Sequence, residues 1–538
     1  MAQADSLDLI QQAVAALQRR AWEEAARLAA TALERSGPEP NALMVLGGVR
    51  AQAGDLQGAI ALYERARVLM PTHIHVLVNL ATAYRADGRL PEARRALEAA
   101  LQVDPGFAIA HNNLGNVLSD LGERQEALRS YERAAALDPH YADPLAGSAC
   151  IAEEEHRLED AGRLAGRALQ LAPQSVSAAL TLARVNLRRD QAAEAIRILE
   201  ALLRGGSLSP TNRVVAHGYL GEAYDKLARY QDAFAAFTAA NALQQEQYAA
   251  TLGGDPGPLS PASIVRLTAF LEQSDPARWS PAPPAVASPV FLVGFPRSGT
   301  TLLDQILASH PQITTLEERD ILLDAVSGLL REEALGHWAD LSPAQIGHWR
   351  ERYWQRVASS RAGAQLAPLF IDKQPLNAVL LPLIHRLFPA ARILLVLRDP
   401  RDVVLSCYQQ RFGMNTAMYQ LLRLDTATAY YAAVMRLVEA SRRRLALRLH
   451  VVRYEDLVGS FEATARSLLG FLGLEWDERV RQHTATARRR TIGTPSAAQV
   501  VLPIYASARG KWRNYREFLE PHLPALEPWV RAYGYDAP

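Results

Sequence analysis

The chain has 538 residues, with 58 Lys and Arg against 57 Asp and Glu, so no chain-wide field draws it to nucleic acid or to an anionic membrane. Its two cysteines, Cys150 and Cys407, give no disulfide framework and suit a reducing compartment. The opening MAQADSLDLIQQ has neither a basic nor an apolar signal region, and no run of about 18 apolar residues occurs. A cytoplasmic protein without membrane or nucleic-acid partners is the expectation.

The first half repeats. Ala59, Ala93, Ala127, Ala161 and Ala195 are spaced 34 residues apart, and so are Pro71, Pro105, Pro139 and Pro173. A period of this kind signals a solenoid. Gly47, Ala81, Gly115, Ala149 and Ala183 fall twelve residues before those alanines, and Ala66, Ala100, Ala134 and Ala168 seven after. Small residues sit where helices touch, while Tyr63, Leu97 and Tyr131, one turn beyond the alanine, fill the groove beside it. Gly54, Gly88 and Gly122 mark turns between helices, and the prolines end the second helix of each pair. The pattern resembles the tetratricopeptide repeat and implies an α-solenoid of about seven units over residues 7–250, the last restarting after the insertion GGSLSP. A helix pair cannot bury its apolar face alone, so the array is stable only as a stack with an extended concave surface. That surface is expected to hold a protein or peptide; bracing the catalytic half or pairing two chains as a homodimer is the alternative.

Residues 251–288, from GGDPGPLSP to SPAPPAVASP, are rich in glycine and proline and read as a linker around one short helix, IVRLTAFLEQ. Beyond it, in 289–538, the short apolar runs VFLV, PLFI, RILLVL and LHVVRY alternate with helix-like stretches. Buried, mostly parallel strands covered by helices are the simplest reading, with ligands outside the strands' carboxyl ends. Gly294, Lys373, Arg398 and Tyr454 all follow such strands.

VFLVGFPRSGTT, residues 290–301, has the strand, glycine-bounded loop and helix start of a phosphate-binding loop. Gly294 and Gly299 keep the spacing, yet Thr300, followed by Thr301, stands where such a loop has its lysine. The cradle therefore suits an anionic nucleotide end that is not a triphosphate, with Arg297 as the replacement cation. RDPRDVVLS, residues 398–406, follows the next long strand, and Pro400 favours an early helical position. Arg398 and Ser406 can then clasp a second phosphate, so the two sites together imply a nucleotide with both a 5′ and a 3′ anion. His310, followed by Pro311, reads as the end of the helix that begins at Thr300.

PRSGTT followed about a hundred residues later by a strand and RDPRDVVLS is similar to the sulfotransferase family, above all to tyrosylprotein sulfotransferases and to bacterial fusions of tetratricopeptide repeats with such a domain. The resemblance implies a P-loop-like α/β domain whose donor is 3′-phosphoadenosine 5′-phosphosulfate (PAPS) and whose nucleotide product is adenosine 3′,5′-bisphosphate (PAP). It assigns Arg297, Ser298, Gly299, Thr300 and Thr301 to the 5′-phosphosulfate and Arg398 and Ser406 to the 3′-phosphate. It places Tyr454 against the nucleotide and Lys511 over it. Glu318 falls at the position of the catalytic base with Glu317 beside it, Lys373 at that of a lysine contacting the transferring group, and Ser496 at that of a catalytic serine. The chain departs from the tyrosyl enzymes at Asp320, where they carry an arginine, while Arg319 stands next to Glu318.

Sulfuryl transfer resembles phosphoryl transfer, in which positioning and cations do most of the work. Arg297, Lys373 and Ser496 are the candidates for stabilising the leaving phosphate, and Glu318 for taking the acceptor proton. No His and Cys cluster has metal-ligand spacing, and none is expected. The reading is thus a PAPS-dependent sulfotransferase with a peptide tyrosine as preferred acceptor. The alternatives are a carbohydrate or small-molecule acceptor, a nucleotide kinase, or a repeat adaptor with an inactive second domain.

Overall fold

The computed structural model describes residues 2–206, 208–254, 257–285, 287–361, 366–484, 486 and 509–535. The chain forms two compact units, Met1–Leu208 and Ser209–Pro538.

The first unit is all helical, with six helix pairs among its described residues, running from Ala2–Gln18 to Ala192–Arg204. The 34-residue period recurs as backbone geometry. Arg20, Gly54, Gly88, Gly122, His156 and Asp190 occupy the turn inside each pair, and all six are left-handed, with φ between 58° and 82°. Glycine enters that region freely; an L side chain there costs about 1–2 kcal/mol. Each helix before a period proline stops two residues short of it, as Leu56–Leu69 does before Pro71.

The anchors Ala59, Ala93, Ala127, Ala161 and Ala195 are fully buried. Tyr131, buried in the helix Arg124–Leu137, shows why the small positions are small. A Cβ on Gly115 would lie 2.5 Å from its Cε1, and one on Gly147 would lie 2.5 Å from its Cζ.

The second unit is built on a five-stranded parallel sheet in the order β2-β3-β1-β4-β5. The strands are β1 Val290–Gly294, β2 Ile313–Glu317, β3 Leu369–Lys373, β4 Arg392–Leu397 and β5 Arg448–Arg453. Every residue of β1 is buried, as a central strand covered on both faces requires. In register, Val290 faces Ile371 of β3 and Arg392 of β4. The chain leaves β1 toward the β2 edge and later passes from β3 across β1 to β4. Right-handed crossovers then send the connections after β1 and β4 to opposite faces, which opens a crevice at their carboxyl ends.

Strand β2 is absent from the apolar runs, because at this sheet edge ITTLE offers only Ile313 and Leu316 as apolar residues. A seventh helix pair, Pro210–Lys226 and Tyr230–Leu252, belongs to the second unit. There Phe234 stacks on Tyr408 at 5.3 Å and on Phe518 at 4.0 Å, and the Asn241 amide donates to the Tyr408 carbonyl at 3.0 Å. The proline-rich stretch 251–288, with its helix Pro261–Gln273, lies inside that unit. No helix among the described residues is long and apolar enough to cross a membrane.

The Tyr131 packing is testable. Gly115→Ala drives a methyl into a ring that Gly147 also confines, and should cost about 1–3 kcal/mol, read as a lower midpoint for loss of helical circular dichroism in denaturant.

Candidate active site

The loop after β1 is shaped by close approach. A Cβ on Gly294 would lie 2.7 Å from both the Val396 carbonyl of β4 and the Ser298 hydroxyl, so only glycine fits. Arg297 (φ 68°) and Gly299 (φ 107°) are left-handed, turning the backbone into the helix Thr300–Ala308. The first turn of that helix leaves N–H groups without intrahelical acceptors, which is the ordinary basis of an anion cradle. The Ser298 hydroxyl is buried and has no hydrogen-bond partner among the described residues. A Cβ on Gly299 would meet the Tyr454 ring at 2.7 Å, so glycine keeps that space open.

Residues from three strand ends join this loop. The Arg297 Nε donates to the Ser406 hydroxyl at 3.0 Å, and Ser406 lies on the helix Pro400–Tyr408 that follows β4. Arg398 donates from Nη1 to the Arg297 carbonyl at 3.1 Å and lies 4.9 Å from the centre of the Tyr454 ring, just past β5. Arg297, Arg398, Ser406 and Tyr454 thus meet at the crevice between β1 and β4.

A second cluster forms on the other side of β1. Lys373, the last residue of β3, has no exposed surface. Its ammonium donates to Glu318 Oε1 at 2.7 Å, Glu317 Oε1 at 3.1 Å and Thr301 Oγ1 at 3.4 Å. Glu317 ends β2, so both carboxylates come from a strand end rather than from a helix start. Glu318 is left-handed at φ 45°, and its N–H donates to the Lys373 carbonyl at 2.7 Å. A charged residue held in that conformation needs surroundings that over-determine it, a pattern common at reactive sites. The Glu318 side chain is 34% exposed and that of Glu317 12%. Among the exposed residues that follow, Asp320 accepts from the Gln374 amide at 3.3 Å.

Lys511 lies away from both clusters in its direct contacts, with its ammonium 2.7 Å from Asp225. Ser496 and the basic run 488–490 fall outside the described residues. His310 is accounted for structurally: its Nδ1 accepts from the Gln312 N–H at 3.2 Å, and its Nε2 donates to the Glu475 carbonyl at 3.1 Å.

Three carboxylates at the site carry no motif signal of their own. Asp402 accepts from the N–H groups of Gly510, at 2.6 Å, and Trp512, at 2.8 Å. Burial pushes its pKa up, while Arg398 and those N–H groups oppose the shift. Glu455 accepts from the Asp399 N–H at 3.0 Å and the Tyr535 hydroxyl at 2.9 Å. Asp372, beside Lys373 in β3, accepts from the Tyr353 hydroxyl at 3.0 Å, and burial pushes its carboxyl from 3.8 to about 7. Among the described residues no group of three or more His, Cys, Asp and Glu could hold a metal ion.

Comparison with known proteins agrees with this architecture. Residues 289–478 match the Sulfotransferase family, and residues 10–72, 50–114 and 108–141 match tetratricopeptide repeat families. An uncharacterized protein of Aquifex aeolicus is 27% identical over 354 residues, 62% of this chain and 44% of that protein. Protein-tyrosine sulfotransferase A of Caenorhabditis elegans is 28% identical over 264 residues, 46% of this chain and 67% of the worm protein. The match thus spans less than half of the first relative. Among solved structures, a tetratricopeptide repeat protein from Parabacteroides merdae is 17% identical with a TM-score of 0.37, covering 45% of this chain and 93% of its own.

Gly299→Ala should lower stability by about 1–3 kcal/mol, from left-handed strain and collision with the Tyr454 ring, read as a lower thermal midpoint. The Asp372 pKa sets a pH dependence. Between the ordinary 3.8 and about 7 the native carboxyl keeps a proton that the unfolded chain releases, so stability falls as pH rises through that window. Asp372→Asn removes this loss, and its thermal midpoint relative to wild type should rise between about pH 5 and about pH 7.5.

Proposed function

We propose that this chain, which carries a sulfotransferase-family domain behind tetratricopeptide repeats, moves a sulfo group from PAPS to an acceptor hydroxyl, with a protein or peptide tyrosine as the preferred acceptor. The observation that carries the reading is the Lys373 cluster. A buried ammonium reaches the start of the loop helix through Thr301 and a partly exposed carboxylate, Glu318, on its other side. A buried cation paired with a partly exposed carboxylate, next to a glycine loop that lacks its own lysine, supports this reading.

The residues present fit the donor. The loop N–H groups and Arg297 would hold the 5′-phosphate, with Ser298 offering an unused buried hydroxyl. Arg398, Ser406 and Tyr454 would hold the 3′-phosphate and the nucleotide beside it. The donor supplies a sulfuryl group whose bond to the 5′-phosphate breaks as the acceptor oxygen attaches, leaving the electron pair on the phosphate. Glu318 takes the acceptor proton; its greater exposure favours it over Glu317, whose part is to hold the lysine. Lys373 and Arg297 offset the charge that grows on the leaving oxygen. The tyrosine preference is supported by the named worm relative, and the repeats supply the surface for a protein acceptor, as arrays of this kind do.

The test is transfer of labelled sulfate from PAPS by the full chain to tyrosine peptides, small phenols and oligosaccharides. Labelled peptides are expected. Label on carbohydrate alone overturns the tyrosine preference, and thermal stabilisation by ATP with magnesium but not by PAP overturns the donor. Inactivity toward every acceptor class points to an adaptor. Glu318→Gln should lower kcat by about 10²–10⁴ with donor KM little changed, while Glu317→Gln should lose less.

A further inference from the structure

The segment around Lys511 is fixed by two carboxylates from different parts of the second unit. Asp402, itself buried, binds the N–H groups on either side of the lysine, those of Gly510 and Trp512. The same carboxylate lies 4.0 Å from the Arg398 guanidinium, and it shares its helix with Ser406. The Trp512 ring lies beneath Arg401 of that helix, with the guanidinium 4.2 Å from its centre. The main chain at Lys511 is therefore one carboxylate away from the Arg398 end of the crevice.

The side chain is held from elsewhere. Its ammonium lies 2.7 Å from Asp225 Oδ2, and the Tyr515 hydroxyl donates to Asp225 Oδ1 at 2.5 Å. Asp225 stands in the last turn of Pro210–Lys226, the first helix of the seventh pair. The next helix adds Tyr230, which packs edge-on against Tyr515 at 5.3 Å and accepts from the Asn514 amide at 3.1 Å. Both oxygens of Asp225 are thus used on one short stretch of chain, four residues apart.

Asp225 can act on a neighbouring anion site in two opposite ways. It subtracts positive charge, which weakens anion binding, and it immobilises a lysine that would otherwise sample many rotamers, which strengthens it. Solvent decides between them. The Lys511 and Asp225 side chains keep 32% and 18% of their surface exposed, so their mutual charge effect is screened. The double attachment to Lys511 and Tyr515 persists, because it fixes geometry rather than potential.

We propose that Asp225 is a positioning residue of the donor site: it fixes the Lys511 side chain and holds segment 510–515, so that the last helix pair sets part of the affinity for a nucleotide bisphosphate. This rests on the donor-site reading above. The test is calorimetric titration of PAP into the full chain carrying wild-type Asp225, Asp225→Ala or Asp225→Asn, with the thermal midpoint of each. The alanine variant should bind PAP about tenfold more weakly, the size of one lost charge-assisted hydrogen bond. The asparagine variant, which keeps an acceptor oxygen, should recover part of that loss. Donor KM should rise with kcat little changed. Tighter binding by both variants would make Asp225 a charge neutraliser and overturn the proposal. Unchanged affinity with a lowered thermal midpoint would make it merely structural and also overturn it. Failure of wild type to bind PAP at all would remove the donor-site reading itself, a result distinct from either.

Discussion

A lysine ammonium with no exposed surface has to be paired, since stripping an ion of water costs several kcal/mol unless partners replace it. Lys373 meets that requirement with a carboxylate that ends β2, a second carboxylate just beyond it and a hydroxyl at the start of the helix after β1. Three neighbouring elements are therefore drawn to one point. Strand β2, short and at the sheet edge, has little apolar surface of its own, and its carboxyl end is held by Glu317 and by the N–H bond from Glu318 to the Lys373 carbonyl. The left-handed backbone at Glu318 follows from the same pairing: the chain bends so that two successive carboxylates face one cation.

Seen from that pair, the threonine at 300 makes physical sense. A phosphate loop that carries its own lysine brings the cation and the cradle on one segment. Here the loop after β1 has no lysine, and the buried ammonium comes from β3, which lies directly beside it. The cation's position is then set by the sheet register, not by a flexible loop side chain. Arg297 in the loop also has a second task. Its guanidinium is engaged with Ser406 and its carbonyl with Arg398, so it ties the β1 loop to the β4 loop across the crevice.

Much of this was legible because it rests on local chemistry. The solenoid follows from a period of alanines and prolines, and β1 and β4 from continuous apolar runs. The gathering of Gly294, Lys373, Arg398 and Tyr454 at strand ends follows from the rule that parallel sheets place polar loops there. What stayed hidden depended on distant packing. Strand β2 has no apolar run, and Asp402 looks like one more charge in RDPRDVV until the chain more than a hundred residues later folds against it. Asp225 reads as a surface residue of a repeat helix, since its partners Lys511 and Tyr515 are 286 and 290 residues away.

The seventh helix pair shows how periodicity and packing can part company. Six successive left-handed turns keep the 34-residue spacing up to Asp190, and the next such turn is Ala228, 38 residues on. The four extra residues lengthen the first helix of this pair, Pro210–Lys226, to 17 residues against 13 in Val176–Arg188, just past the boundary between the compact units. The pair keeps the repeat's small buried positions, such as Gly221 and Ala233, yet it also carries Phe234, which packs against aromatic rings of the second unit. One helix pair thus combines the repeat's small buried positions with an aromatic contact outside the repeat pattern. The same pair carries a carboxylate at the end of its first helix that contacts the 511–515 segment. Asp225, in the last turn of that first helix, is thereby paired with Lys511 and Tyr515, nearly three hundred residues further along the chain.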